Sequence, residues 1–570
     1  MSSSRHSSVE HPAGFLILLV GLAVLAACAA PVEYDVVLRD GIIYDGSGSA
    51  GVVGDLAIDG DAIVAIGDLG RAVGRTEIDA SGLAVAPGFI NMLSWATSSL
   101  IEDGRGQSDI RQGVTLEVMG EGNSMGPLTE EMKAETIRRQ GDIKYEIEWT
   151  TLDEYLQYLE NRGVSPNVAS FLGAATPRKM VVGYEDRAPS PEELDRMRSI
   201  VGTAMEKGAM GVASALIYPP GSFAEPDELR ALAGVVAEYD GMYISHVRGE
   251  GAHLVEAVGE LVDLARATGV TAEVYHFKAS GQRNWPLFDY AVALIDQARA
   301  EGLAVTADVY TYPAGATGLN ASMPPWVQEG GFDASLERLA DPELRKRIAQ
   351  EMLEESDDWE NMYLGAGSPD NILLVGFKNP ELKHYTGMSL AEVAAERGTS
   401  PEITAMDLIV EDGSRVTCVY FSQSEEVLAK AVALPWVSFC SDEGAPSAEG
   451  VFLKKNNHPR AYGSFARVFA KYVRDEAVLT IEEAVRKLSG LPAANLKLDR
   501  RGLLREGYFA DVVVFDPATI QDHATFTDPH RYATGVVHVF VNGERVLADG
   551  EHTGATPGRV VRGPGWNGRK

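Results

Sequence analysis

The sequence predicts an α/β fold: a (β/α)8 barrel with a sheet module contributed by both ends of the chain. Three observations predict it. Between about residues 87 and 499 short apolar strands alternate with amphipathic helices, as in "MYISHVRG", "AHLVEAVGELVDLARATG" and "TAEVYHFKASG". That is the texture of a parallel sheet covered by helices. Near the start, "YDVVLRDGIIYDGSG" and "GDLAIDGDAIVAIGDL" alternate apolar and polar residues between Asp-Gly turns, and the same alternation returns near the end in "YFADVVVFDP" and "VVHVFVNGERVLADGEHTG". Such alternation marks antiparallel sheet. Finally, 570 residues with 45% hydrophobic and 23% charged content supply the core of a large barrel with added parts.

Nine stretches read as barrel strands: "AVAPGFI", "VTLEVMG", "NVASFLG", "MGVASALIY", "MYISHV", "TAEVYHF", "LAVTADVYTY", "RVTCVYF" and "WVSFCSD". A barrel has eight places. "RVTCVYF" is the one to set aside, because the charged stretch from about Pro324 to Arg415 before it reads as an insertion. The assignment matters because functional residues of such barrels sit at the C-terminal ends of strands.

The first residues read as a targeting segment. A polar stretch containing Arg5 precedes "FLILLVGLAVLAAC", whose 13 apolar or small residues from Phe15 to Ala27 are too few to span a bilayer. "LAAC" resembles a bacterial lipobox, which implies a lipid anchor on Cys28, a membrane-attached mature protein and a place in the bacterial cell envelope, facing the periplasm if the cell is Gram-negative. Cys418 and Cys440 lie in apolar strand-like runs, where a disulfide or two buried thiols would both fit. With 82 acidic against 50 basic residues the chain carries a formal charge of −32. That charge repels phosphate backbones and excludes nucleic acid as a partner.

Four predicted strands end in chemistry: Glu121 after "VTLEVMG", His246 in "MYISH", His276 in "TAEVYH" and Asp442 in "WVSFCSD". In a barrel these ends converge on one mouth. Glu plus two His is a three-ligand set for a catalytic zinc that leaves a fourth position for water, and a carboxylate beside that water can act as general base. Taken singly, each has a structural reading: a hydrogen-bonded strand-end His, a helix-capping Glu, an Asp at a loop start. Jointly, two of only 11 histidines falling thirty residues apart on consecutive strand–helix units favour a metal site. "GEGNSMGP" and "AGATG" lack a P-loop lysine, and no G-x-S-x-G elbow is present, so nucleotide binding and serine hydrolysis find no support.

The chain resembles the amidohydrolase superfamily, and within it the D-aminoacylase (N-acyl-D-amino-acid deacylase) branch. The matching stretches are "LAVAPGFIN", "GVTLEVMGEGNSMGP", "YISHVRGEG", "YHFKASG", "DVYTYPAGATGL", "FCSDEG", "HPRAYGSFARV", "RRGLLREGYFADVVVFDPATIQDHATF" and "PGRVVRG", running from about Val36 to Arg562. The resemblance implies that the two-ended sheet module is a small β-sandwich. The expected organisation is a lipoprotein-type signal peptide at 1–28, β-sandwich at 32–86 and 500–565, TIM barrel at 87–323 and 416–499, and the insertion at 324–415. It also exposes two departures. The branch's His-x-His falls at Leu93 and Trp95 of "GFINMLSWAT", and its metal-binding Cys falls at or beside Glu121. Both point to loss of one metal site and survival of the other, with one tightly bound zinc on Glu121, His246 and His276. Asp442 matches the branch's catalytic Asp.

By the same resemblance, Lys278 grips a substrate carboxylate, with Tyr310 or Tyr312 and Arg460 as further contacts. A cation beside a phenol suits a free carboxylate; an ion pair within the mouth is the structural alternative for Lys278 and Arg460. The expected activity is metal-dependent hydrolysis of an amide C–N bond in a small molecule, an N-acyl-D-amino acid or a related amide or dipeptide. The rivals are a non-catalytic barrel lipoprotein that only binds, and a hydrolase of cyclic amides or esters using the same site.

Overall fold

The computed structural model describes residues 32–356 and 359–569, so the leader and Cys28 lie outside the described residues. Among the described residues no helix is long and apolar enough to cross a membrane.

Both chain ends build one module. Strands Glu33–Ile43, Val52–Asp59, Ala62–Gly67, Val73–Asp79 and Ala84–Pro87 join Val512–Phe515, Val536–Val541, Glu544–Ala548 and Glu551–His552 in a nine-stranded sheet, the small β-sandwich of the fold. The halves meet where Ala84–Pro87 runs antiparallel to Val512–Phe515. Alternation sends Leu38, Leu56, Ile58, Ile63, Val512, Val514 and Phe540 to one buried cluster, each large side chain contributing about 1.5–3 kcal/mol on leaving water. The hairpin after Val541 turns on Asn542 and Gly543, at φ 48° and 83°, the two positive angles of a type I′ turn. A Cβ at Gly543 would stand 1.9 Å from the Gly60 carbonyl oxygen, which restricts the position to glycine.

The barrel strands are β1 (Phe89–Asn91), β2 (Val114–Met119), β3 (Asn167–Ser170, continued by Leu172–Gly173), β4 (Gly211–Ala215), β5 (Met242–His246), β6 (Thr271–Val274), β7 (Val305–Val309) and β8 (Val437–Phe439). Every neighbouring pair from β1 to β8 is parallel. The ring closes where residues just past β1 meet those just past β8: Met92 N–H donates to Phe439 O at 3.3 Å and Asp442 N–H to Leu93 O at 2.9 Å. Ile90, Leu116, Val118, Ala169, Phe171, Ala213, Ile244 and Tyr275 fill the interior, so the barrel is a packed core with its chemistry confined to the ends. Helix Leu254–Thr268 shows why the outer layer forms. Leu254, Ala257, Val258, Leu261, Val262 and Ala265 make one buried face, and Gly269 ends the helix in the left-handed region at φ 72°.

A second unit lies between β7 and β8. Its three strands, Gly315–Gly318, Thr417–Tyr420 and Ile372–Gly376, pair antiparallel in that order. The run "RVTCVYF" therefore belongs to this sheet, while β7 pairs directly with β8. The unit has its own core, which reaches from Leu319 to Tyr420, past both ends of the charged stretch 324–415. The two ends extend because Gly315–Gly318 and Thr417–Tyr420 are apolar partners of each other, and charge content does not register that pairing. Cys418 sits in this sheet and Cys440 follows β8; both are buried free thiols.

Candidate active site

The ends of β2, β5, β6 and β8 bring Glu121, His246, His276 and Asp442 to one mouth. Glu121 lies on a turn between two glycines at positive φ. A Cβ at Gly120 would fall 2.3 Å from the Phe171 carbonyl oxygen, so only glycine lets the chain turn tightly enough against β3 to present the carboxylate. His276 and Asp442 themselves adopt positive φ, 36° and 51°. Such strain costs about 1–3 kcal/mol per residue and needs outside support. The support is visible. His276 N–H donates to Asp308 Oδ1 at 2.7 Å, and Asp442 N–H is held by Leu93 O across the barrel seam.

Glu121, His246 and His276 are buried, and their donor atoms lie within 4.8 Å of one another. Glu121 Oε1 stands 3.3 Å from His246 Nδ1 and 3.3 Å from His276 Nε2. A tetrahedral zinc with arms of about 2.0–2.1 Å separates its ligand atoms by about 3.3 Å, and both separations from Glu121 match that spacing. Burial works against ionisation of Glu121, but hydrogen bonds from the two imidazoles outweigh it and pull the carboxyl down to about 2. The third donor is thus an anion.

The other imidazole nitrogens share one partner that the sequence reading did not single out. Glu250 Oε1 lies 3.0 Å from His276 Nδ1, and Oε2 lies 3.6 Å from His246 Nε2. Lys278 Nζ donates to the same Oε1 at 2.6 Å. Burial opposes the charge on Glu250, yet both histidines and Lys278 hold it well below the usual carboxylate range. Glu250 therefore steers the His276 ring so that its Nε2 faces Glu121, while its charge lies beside His246 Nε2, which makes no hydrogen bond among the described residues. Carboxylates placed behind ligand histidines typically contribute 10–100-fold in metal affinity. Glu250→Gln, which keeps the shape and removes the charge, should weaken zinc binding by about that factor, read as faster loss of metal to a chelator with the fold intact. Tyr218 packs edge-on to His246 with ring centroids 5.4 Å apart and is a second neighbour without a sequence signature.

Asp442 is held by both oxygens. Arg460 Nη1 lies 2.7 Å from Oδ2, and the indole N–H of Trp95 donates to Oδ1 at 3.1 Å. Burial raises its pKa, while Arg460 and His276 oppose that rise. Arg460 begins helix Arg460–Arg467 and is itself buried. Neither its Nε nor its Nη1 makes a hydrogen bond among the described residues, so Nη1 meets Asp442 as an ion pair only, and its guanidinium lies 4.4 Å from the Tyr310 ring centroid. Tyr310 thus belongs to the mouth. Tyr312 points away: its hydroxyl donates to Asp522 Oδ2 at 2.9 Å. Lys278 is half-buried with its ammonium on Glu250 and 2.8 Å from His276 Nδ1, close to the imidazoles. Leu93 is fully buried in the barrel interior and offers no donor atom. Among the described residues the only group of three or more His, Cys, Asp and Glu donors spaced for a metal is Glu121, His246 and His276.

A barrel with a buried Glu-His-His donor set and a carboxylate at the same mouth defines a metal-dependent hydrolase of the amidohydrolase type. A model of the amidohydrolase family matches residues 451–547. The D-aminoacylase of Alcaligenes xylosoxydans is 33% identical over 532 residues, 93% of this chain and 97% of that protein. The chain belongs to the D-aminoacylase family. Among solved structures, N-acyl-D-glutamate deacylase from Bordetella bronchiseptica, complexed with zinc and a phosphonate mimic of the tetrahedral intermediate, superposes with a TM-score of 0.77 at 29% identity, covering 93% of this chain and 100% of that one. A D-aminoacylase structure with a binuclear metal centre, described by one-metal activation and second-metal attenuation, gives a TM-score of 0.77 at 30% identity and the same coverage.

Proposed function

We propose that the protein hydrolyses the amide bond of an N-acyl-D-amino acid or a closely related amide, using one zinc ion held by Glu121, His246 and His276. The observation that carries this reading is the position of Asp442 beside Arg460, a buried guanidinium with an unspent N–H, at the mouth that holds the metal donors. When bound, zinc supplies Lewis acidity, polarising the amide carbonyl and acidifying water. Arg460, stacked on Tyr310, takes the substrate carboxylate through its free Nε, an interaction strengthened by charge and planarity. Lys278 sets the charge of Glu250 and adds positive potential on the same side. Asp442 accepts a proton as water oxygen adds to the carbonyl carbon, then delivers it to the nitrogen as the C–N bond breaks, releasing a carboxylic acid and an amino acid. Arg460 favours the ionised form of Asp442 that can accept that proton.

The experiment is a parallel assay of N-acyl-D- and N-acyl-L-amino acids with zinc-loaded protein. Turnover of the D series alone supports the reading. Turnover of cyclic amides or esters with neither series cleaved would replace it, and no turnover of any would favour a binding module. Because the resemblance places the family's His-x-His at Leu93 and Trp95, neither of which can hold a metal, metal analysis should find close to one zinc per chain. Added zinc should leave the rate unchanged, unlike the second-metal attenuation described for the binuclear relative. Two metals at full occupancy would contradict this expectation.

A further inference from the structure

Trp95 falls where the resemblance implies a metal-binding histidine, yet its side chain has a specific polar partner. The seam between the first and last strands explains the meeting. Trp95 N–H donates to Glu443 O at 2.9 Å, Asp442 N–H donates to Leu93 O at 2.9 Å, and Ser94 forms a parallel bridge with Glu443. This register places the indole against Asp442, 347 residues away in sequence, with Nε1 3.1 Å from Oδ1. The residue is 41% exposed, so core packing does not account for a tryptophan here.

We propose that Trp95 is a positioning residue for Asp442: its indole N–H and the Arg460 guanidinium fix the two carboxylate oxygens. The inference rests on the reading of Asp442 as general base. Each partner supplies a different quantity. Arg460 brings charge, at 2.7 Å from Oδ2. Trp95 brings direction without charge, since an indole is a neutral donor that cannot accept a proton. The need for a second anchor follows from the backbone: Asp442 is at φ 51° on a short segment beyond β8, and a carboxylate held at one oxygen can still rotate. A displacement of 1 Å at a catalytic group can cost about 10²-fold in rate. A histidine pair with a metal would add positive charge at this point; the Leu93 and Trp95 pair keeps orientation and drops the cation.

The test is Trp95→Phe, which keeps an aromatic ring and deletes the N–H, and replacement of Trp95 by benzothienylalanine, which keeps the indole shape as well. Zinc content and melting temperature should match the wild type. The value of kcat should fall about tenfold, the order of one hydrogen bond, with KM changed less than about twofold. The acid limb of the kcat–pH profile should move to higher pH, because a donor that favours the carboxylate form is gone. The other groups that face Asp442, namely Arg460, His276, Glu121 and Lys278, are untouched in both variants. Wild-type kcat and an unmoved profile in the benzothienylalanine protein would overturn the inference, whatever the fate of Trp95→Phe. Asp442→Asn separates the two readings. If it is active, the base assignment itself fails; if it is inactive while both Trp95 variants behave as wild type, only the role of Trp95 fails.

Discussion

Asp442→Asn is expected to keep its zinc and lose about 10²–10⁴-fold in kcat, the usual contribution of a general base. The substitution preserves shape and leaves Oδ1 able to accept from the Trp95 indole. It removes the negative charge and the capacity to take a proton. No metal donor is altered, because Glu121, His246 and His276 form their cluster without Asp442. The side effect to control is Arg460, whose ion pair with Oδ2 is lost and whose buried charge then lacks its partner. Breaking a buried pair costs stability, so the melting temperature should fall while the variant stays folded at assay temperature. Zinc analysis, thermal melts and single-turnover kinetics on one preparation distinguish the outcomes. A folded, zinc-loaded protein with wild-type turnover would remove Asp442 from the mechanism.

What the sequence makes legible follows from periodicity and from strand ends. The four residues Glu121, His246, His276 and Asp442 are recoverable because parallel barrel strands converge, so a reactive side chain at each C-terminal end implies proximity. Glu250 is harder to find. It lies on the loop after β5, four residues past His246, where neither strand nor helix period applies, and its role depends on facing two imidazoles at once. Tyr310 and Tyr312 look equivalent in "DVYTYP", since residues two apart share a face in a strand. The strand stops at Val309, the period lapses with it, and the two hydroxyls part, one to Gln423 and one to Asp522. The pairing of Trp95 with Asp442 is set by barrel closure, a register between first and last strands that local pattern does not encode. The insertion shows the same limit: its charged middle is visible in composition, and its apolar edge strands are not.

Glu121→Ala should abolish stable zinc binding and, with it, measurable turnover. In the proposed site three protein donors hold the ion, and this one supplies the only negative charge among them, with both imidazoles 3.3 Å from a single oxygen. Its carboxyl is drawn down to about 2 by those imidazoles, so it is an anion in the neutral range. Alanine leaves two imidazole rings, that of His276 still steered by Glu250, around a gap where the anion stood. A ligand that binds the native state alone stabilises it by about 4 kcal/mol when present at a thousand times its dissociation constant. Chelation should therefore lower the melting temperature of the wild type and leave that of Glu121→Ala unchanged. Glu121→Asp supplies the contrast: the carboxylate remains but retracts by one methylene, so partial zinc occupancy and weak activity should return together. A Glu121→Ala protein that keeps stoichiometric zinc and full activity would show that the ion is held elsewhere in the mouth, and the three-donor assignment would have to be abandoned.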